Sequence, residues 1–188
     1  MDTTSIITFL RSVTDLSEKF IQALEESLHQ EFYKPHQIIH AAGQTESRLS
    51  FIETGFARNY FYDQNGQEHT VKFWAPGNII FSCEGYYKVS SYYYTEIMEE
   101  SKLITLTYSE LHDLNTKYAE ISALIKALLL KFQYQEFQRQ ILISLPNEDR
   151  YRLLRKDNKT LFQKAPSRMI ASYLNMSRET LARLIAKH

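Results

Sequence analysis

The side chains best suited to a defined chemistry lie in the last 22 residues of this 188-residue chain. Arg178, Glu179 and Arg183 belong to a segment with helical spacing, in which Leu181 and Leu184 face the other way. Arginine can donate two hydrogen bonds to guanine, and glutamate can accept one from the amino group of cytosine. The three polar residues are therefore predicted to read base edges in double-stranded DNA.

Other residues near this segment suit contacts with the phosphate backbone of DNA. Hydroxyl groups, cations and the free amides at a helix N-terminus all bind phosphate oxygens. The predicted backbone contacts are Ser167, Arg168, Ser177, Thr180 and Lys187. Six cations upstream either bind phosphate or form an ordinary solvated surface: Arg150, Arg152, Arg155, Lys156, Lys159 and Lys164.

The spacing of the segment predicts a helix-turn-helix. Ala171 provides the small side chain needed where two helices cross closely, and Asn175 tolerates the positive φ of a sharp turn. Pro166 suits the start of the first helix, and Ser177 the N-cap of the second. The apolar positions of the motif are filled by Ile170, Leu174, Met176, Leu181 and Leu184. A helical hairpin within an ordinary core is the alternative interpretation of this spacing.

The net charge of zero conceals an uneven distribution along the chain. Residues 1–145 contain 12 Lys/Arg and 18 Asp/Glu, a net charge of 12 − 18 = −6. Residues 146–188 contain 10 Lys/Arg and 4 Asp/Glu, a net charge of 10 − 4 = +6. An acidic body with a basic tail is typical of a separate module that contacts phosphate. A basic face that only meets solvent would have the same charge.

The elements upstream of the basic tail follow from hydrophobic periodicity. Residues 5–30 have helical spacing, with Ser17 as the N-cap of a second piece. Residues 32–107 contain short β-rich runs separated by turns, and Asn65-Gly66 is a strong hairpin signal. The expected fold class is α+β, with an antiparallel β-roll or jelly roll and flanking helices.

Residues 109–145 lack Gly and Pro and predict one long helix. Two apolar stripes run along it, one at Ile121, Ile125, Leu128 and Phe132, the other at Leu130, Tyr134, Phe137, Ile141 and Leu145. A helix with two apolar faces packs on its own domain with one and on a partner with the other. This pattern predicts a homodimer. Pro146–Asp149 is then the hinge between a domain at 1–145 and one at 146–188.

Composition excludes several classes of site. Cys83 is the only cysteine, which rules out a disulfide within the chain and a cysteine-ligated cluster. No run approaches the roughly 20 apolar residues that cross a bilayer, and the N-terminus lacks the features of a signal peptide. We expect a cytoplasmic protein with no membrane contact. The histidines include no His-x-His pair, and His36 and His40 are too far apart in a strand for easy co-ligation, so we expect no metal and no enzyme activity.

The order of elements and the run from Ile170 to Arg183 resemble the Crp/Fnr family of bacterial transcription regulators over nearly the whole chain. The resemblance implies a β-roll of the cyclic-nucleotide-binding type, dimerisation through the long helix and a winged DNA-binding domain. It assigns base reading to Arg178, Glu179 and Arg183. It also implies RNA polymerase as a partner.

The sequence departs from this family at the ligand cassette and at the wing. Counted from Pro76-Gly77, the Gly-Glu pair of the family is replaced by Phe81-Ser82, and the phosphate-binding Arg by Ser91. Cyclic AMP is therefore not the expected effector, because a buried phosphate needs a cation. The chain ends just past the second helix, which predicts a module without a wing. The candidate pocket for a small effector of unknown identity comprises Phe81, Ser82, Cys83, Glu84, Ser90, Ser91 and Tyr92.

The favoured hypothesis is a homodimeric, sequence-specific DNA-binding regulator with an effector-sensing β-roll. Two other hypotheses stay open at this point. One is a β-roll interaction protein with a vestigial DNA-binding tail, and the other is a cupin-like metalloenzyme.

Overall fold

Two short amphipathic helices begin the chain in the computed structural model, which describes residues 1–187; His188 lies outside the described residues. They are α1 (Thr4–Val13) and α2 (Glu18–Ser27). The hydroxyl of Ser17 accepts a hydrogen bond from the N–H of Phe20 at 3.3 Å, so the predicted N-cap is confirmed. Both helices bury one face against the core of the following sheets.

Two four-stranded antiparallel sheets follow and confirm the predicted fold class. One sheet has the strand order β1-β8-β3-β6 and the other has the order β2-β7-β4-β5. A one-turn helix α3 (Cys83–Tyr86) lies between β6 and β7. The strands are β1 (His29–Tyr33), β2 (Ile38–His40), β3 (Arg48–Thr54), β4 (Ala57–Tyr62), β5 (Glu68–Trp74), β6 (Ile79–Ile80), β7 (Tyr94–Ile97) and β8 (Ser101–Thr107).

The hairpin between β4 and β5 forms where the sequence predicts it. Gly66 has φ +75°, a conformation that glycine adopts without strain. The carboxylate of Asp63 accepts hydrogen bonds from the N–H groups of Asn65 and Gln67 at 2.9 and 3.0 Å. These contacts are local, which explains why the sequence alone indicates the turn.

Strand β1 corrects the expectation that helical structure extends to residue 30. The chain leaves the helix at Leu28, whose ψ is 140°, and His29 pairs with Thr105 of β8. Pairing with a strand more than 70 residues away in sequence overrides the local helical pattern.

The single long helix predicted for 109–145 is also wrong, because the structure has two helices, α4 (Tyr108–Lys117) and α5 (Glu120–Ser144). Tyr118 separates them in an extended conformation, and its ring packs against that of Phe20 at 5.5 Å between centroids. Helix α4 packs on α2 and β8, whereas α5 packs on α1. The break therefore follows from tertiary packing, not from a helix-breaking residue.

Four helices complete the described chain: α6 (Asn147–Asp157), α7 (Lys159–Lys164), α8 (Ser167–Tyr173) and α9 (Arg178–Lys187). The predicted four-residue hinge is shorter than expected, since residues 147–149 already form the first turn of α6. Glu148 and Asp149 lie in that turn, where negative charge interacts favourably with the helix dipole.

The C-terminal helices rest on strand β5 of the β-roll. The ring of Tyr173 on α8 lies 5.4 Å from that of Phe73, which stacks on Phe56 at 5.6 Å. The N–H of Thr70 donates to the hydroxyl of Ser172 at 2.9 Å. Phe56 joins the apolar core of the C-terminal helices, so this core is partly built by the β-roll.

Candidate functional site

Helices α8 and α9 meet at the sharp turn that the sequence predicts. Asn175 has φ +51°, and the hydroxyl of Ser177 accepts a hydrogen bond from the N–H of Thr180 at 3.1 Å. The predicted inward positions are buried at Ile170, Ala171, Leu174 and Leu181 and half-buried at Met176 and Leu184. The predicted turn at Asn175 and N-cap at Ser177 are thus confirmed.

The outward face of α9 carries the three residues predicted to read bases. The side chains of Arg178, Glu179 and Arg183 are exposed. Ala182 and Ala186 share this face and are exposed as well. Two alanines leave space for the helix backbone to approach a groove closely, with the long polar side chains around them. The role of Arg178, Glu179 and Arg183 in reading bases stays a prediction.

Glu179 is held in its ionised form by its position at the start of α9. Its own backbone N–H and the hydroxyl of Ser177 lower the pKa of its carboxyl group. An ionised carboxylate is an acceptor only, as contact with the amino group of cytosine requires. Arg183 contacts the hydroxyl of Thr180 at 3.4 Å.

The residues predicted to contact the DNA backbone lie in three places. Ser167 and Arg168 are exposed in the first turn of α8. Ser177 and Thr180 form the hydrogen-bonded start of α9. Lys187 in its last turn donates to both carboxylate oxygens of Glu148, at 3.0 and 3.1 Å. Contact with phosphate stays a prediction for all five.

Arg150, which the sequence offers only as one of several cations, has a structural role. Its Nε donates to the carbonyl of Leu145 at 2.6 Å, and its Nη1 donates to the carbonyls of Leu174 and Asn175, both at 3.0 Å. The guanidinium thus connects the end of α5 to the turn between α8 and α9. Nothing in the spacing of residues indicates these bonds, because their acceptors are backbone atoms up to 25 residues away.

The residues of the predicted effector pocket lie on one segment but in different surroundings. Phe81 is buried, and its ring stacks on that of Phe132 at 6.1 Å. A glycine at this position would leave that volume open. Ser82 caps α3 through a hydrogen bond from the N–H of Gly85 at 3.0 Å. The hydroxyl of Ser82 also contacts Glu84, which is half-buried.

In the second half of the predicted pocket, the backbone of Ser91 is hydrogen-bonded to another part of the chain. The N–H of Ser91 donates to the carbonyl of Gln44 at 2.8 Å, and its carbonyl accepts from the N–H of Gly43 at 2.9 Å. Cys83, Ser90 and Tyr92 are exposed. Binding of an effector by this segment stays a prediction.

The surroundings of this segment are acidic. Glu46 is buried, and burial together with the nearby Glu84 raises the pKa of its carboxyl group to about 8, although Arg48 opposes the shift. The backbone of Glu46 lies against Gly85, where a Cβ atom would come within 2.6 Å of its carbonyl oxygen. A phosphate placed here would meet two carboxyl groups.

Residues 1–187 contain neither a cluster of metal-ligating side chains nor a helix that could span a membrane. No group of three or more histidine, cysteine, aspartate or glutamate side chains could hold a metal ion. None of the helices in this range is long and apolar enough to cross a membrane.

Comparisons with known proteins agree with this architecture. Residues 30–118 match the family model described as cyclic nucleotide-binding domain. The chain is similar in structure to the catabolite activator protein of Thermus thermophilus, with 19% identity, 95% of this chain and 85% of that chain covered, and a TM-score of 0.60. No curated protein sequence matches the chain.

Two other solved structures share the fold over most of both chains. FixK2 from Bradyrhizobium japonicum has 16% identity, coverage of 85% and 83%, and a TM-score of 0.69. The c-di-GMP-responsive global regulator CLP of Xanthomonas campestris has 14% identity, coverage of 91% for both chains, and a TM-score of 0.69. At these identities the likeness establishes the fold.

Replacing Arg150 by Ala tests its structural role. The substitution removes three hydrogen bonds from a charged donor and should lower the free energy of unfolding by about 1–3 kcal/mol, measured by urea denaturation. Lys156→Ala, at an exposed position of α6, is the matched control and should change it by about 0.5 kcal/mol or less. An equal, small effect of both substitutions would contradict the assigned role.

Proposed function

We propose that the chain is a sequence-specific, DNA-binding transcription regulator with an effector-sensing β-roll. The observation that carries this proposal is the exposed face of α9, where Arg178, Glu179 and Arg183 surround two alanines. The opposite face of the helix pair is buried, so that the polar face is presented in a fixed orientation. A helix with these properties fits the major groove of DNA, with its N-terminal residues at base edges.

The charge of the C-terminal region supports DNA as its partner. Residues 146–188 have a net charge of +6, against −6 for the rest of the chain. Phosphate contacts supply most of the affinity of non-specific binding, and a basic module provides them. Arg150 is hydrogen-bonded to the backbone of the chain itself, so that exposed cations such as Arg168 are the candidates for contact with phosphate.

An exposed apolar stripe on α5 supports a homodimer. The side of α5 that includes Ile121 and Leu128 is buried against the β-roll core. On the opposite side four large apolar residues are exposed, which are Leu130 at 66%, Tyr134 at 63%, Phe137 at 56% and Ile141 at 40%. These are four of the five residues of the stripe predicted to face a partner. Pairing of two α5 helices would remove this surface from water.

A two-fold dimer predicts the form of the DNA site. Two copies of α9 related by the dimer axis would contact pseudo-palindromic half-sites about one helical turn apart. Two of the structurally similar proteins are named as an activator and a global regulator, which is consistent with a regulatory role. RNA polymerase is the further partner that this proposal includes.

Cyclic AMP is not the effector in this proposal. The β-roll of this fold is present, but Phe81 packs against Phe132 of α5, and Ser91 is hydrogen-bonded to the backbone of Gly43 and Gln44. The carboxyl groups of Glu46 and Glu84 lie in the same region. A cyclic phosphate there would lack the arginine of the resembled family and would lie near the acidic side chain of Glu84, which opposes binding.

The first test replaces both arginines of the exposed α9 face. Arg178→Ala with Arg183→Ala should remove the preference for a selected duplex over a shuffled one, since each base contact contributes about 1–3 kcal/mol of discrimination. Salt-dependent, non-specific binding should remain. Fluorescence anisotropy measures both, and Arg11→Ala on α1 is the control. Sequence preference retained by the double variant would refute the assignment. Negligible DNA binding by the wild-type protein at low salt would instead favour an interaction protein.

The second test addresses the dimer. Leu130→Glu with Phe137→Glu places two charges on the exposed stripe and should convert the dimer to a monomer in sedimentation experiments, because buried unpaired charges are costly. Gln140→Glu adds a charge to an exposed position outside the stripe and should leave the dimer intact. A double variant that still sediments as a dimer would place the interface elsewhere.

The third test concerns the effector. Calorimetric titration with cyclic AMP or cyclic GMP should give no saturable heat at micromolar concentrations, because Ser91 stands where the resembled family has its phosphate-binding arginine. A saturable signal in that range would show that another residue compensates for Ser91.

A further inference from the structure

A cavity of about 360 Å³ lies between the β-roll, α5 and the C-terminal helices. Its walls include Trp74 on β5, Phe132 on α5 and Tyr173 on α8. The volume falls within the range of about 300–1,000 Å³ that is usual for small-molecule pockets. None of the seven residues of the predicted effector pocket lines it. It is therefore a separate place, and both the β-roll and the C-terminal helices contribute to it.

Lys72 is one of three cations that line this cavity, and its side chain is half-buried. Its ammonium nitrogen lies 4.2 Å from the ring centre of Trp74 and 4.7 Å from that of Phe132. Burial lowers the pKa of Lys72 to about 8, and the nearby Glu136 partly opposes this shift. Within residues 1–187, no carboxylate lies close enough to Lys72 to form an ion pair. A bound anion would stabilise its charged form.

Arg139 is the second cation, and one of its donors lacks an acceptor. Its guanidinium lies 5.5 Å from the ring centre of Tyr173. The Nε atom is buried and has no hydrogen-bond partner among the described residues. A buried donor without a partner costs free energy, and a bound ion or water is one way in which native structures satisfy such a group. A carboxylate is the acceptor that matches the fork of a guanidinium.

The charges and the wall shapes define the class of ligand. The lining holds three cations, Lys72, Lys131 and Arg139, and two acids, Glu136 and Asp157, a net charge of 3 − 2 = +1. A single negative charge on the ligand balances this. The aromatic walls favour a flat apolar body next to that charge.

We propose that this cavity binds a small aromatic monocarboxylate, whose carboxylate pairs with Arg139 and Lys72 and whose ring packs against Trp74, Phe132 and Tyr173. Tyr173 directly precedes Leu174, the carbonyl of which is held by Arg150. Occupancy will therefore stabilise α8 against β5 and alter the affinity of α9 for DNA. This regulatory consequence rests on the proposed function, whereas the binding does not.

Helix α5 leaves the cavity available in a dimer. Arg139 lies on the side of α5 that faces the β-roll, together with Phe132 and Leu142. Leu130, Phe137 and Ile141 lie on the opposite side, as the period of 3.6 residues per turn requires, whereas Tyr134 of the exposed stripe also lines the cavity. Pairing through that side does not fill the space around Arg139 and Lys72.

The only tryptophan of the chain, Trp74, reports on binding directly. Benzoate and phenylacetate serve as probes, and their uncharged amides, benzamide and phenylacetamide, as controls. Calorimetry with the full chain should give saturable binding of at least one acid with a dissociation constant of about 1 mM or lower. Its amide should bind about tenfold more weakly, and the tryptophan fluorescence should change in parallel with the heat.

Two substitutions test the assigned residues, with thermal unfolding as the check on folding. Arg139→Gln and Lys72→Met should each weaken binding of the acid about tenfold, as expected for loss of a charged hydrogen bond. Lys126→Met, exposed on α5 outside the cavity, should not change it. No saturable binding of either acid up to about 10 mM, or equal binding of acid and amide, would overturn the proposal. So would an unchanged affinity in a folded Arg139→Gln protein.

A DNA-binding measurement separates the two proposals. With a saturating acid, the affinity for a selected duplex should change about fivefold or more, within the usual range of allosteric coupling. An acid that binds without this change would overturn the regulatory consequence only. A protein that binds the acid but never binds DNA would overturn the proposed function and leave the ligand site supported.

Discussion

The placement of α9 depends on the three hydrogen bonds from Arg150 to backbone carbonyls. One acceptor is the carbonyl of Leu145 at the end of α5, and the other two lie in the turn before α9. One side chain therefore joins the helix that we propose to form the dimer to the helix that we propose to contact DNA. The carbonyl groups at a helix end lack partners within the helix. Arg150 satisfies them and fixes a geometry at the same time. This link therefore contributes to the spacing between two symmetry-related α9 helices of the proposed dimer.

The second constraint is the contact of the C-terminal helices with β5. Phe56 and Phe73 from the β-roll pack with Tyr173, and Ser172 bonds the backbone of the strand. The cavity containing Lys72 and Arg139 adjoins this contact. A change in the β-roll can therefore reach α8 through packed side chains over a short distance, which is the physical requirement for coupling an effector to DNA binding.

Local features of this molecule could be predicted from the sequence, and features that join distant segments could not. The turn at Asn175 and the hairpin at Gly66 depend on residues that tolerate positive φ. The buried and exposed faces of α8 and α9 follow from the spacing of apolar residues within each helix. The break between α4 and α5 at Tyr118 depends on contact with Phe20, which is distant in sequence. The hydrogen bonds of Arg150 depend on backbone atoms at three other positions. The cavity cations were missed for the same reason, since Lys72 and Arg139 become neighbours only when α5 packs on β5. The exposed stripe of α5 was predicted because one helix contains it.

The most direct test of the central claim is selection of binding sites by the full-length protein from a pool of random DNA duplexes. Two α9 helices held by Arg150 on a dimer should enrich a pseudo-palindrome, with half-sites about 10 base pairs apart from centre to centre or a multiple of that spacing. Sequencing of the bound fraction gives this distance directly. A pool that stays random after repeated rounds would contradict the account, as would a single half-site without a symmetry mate.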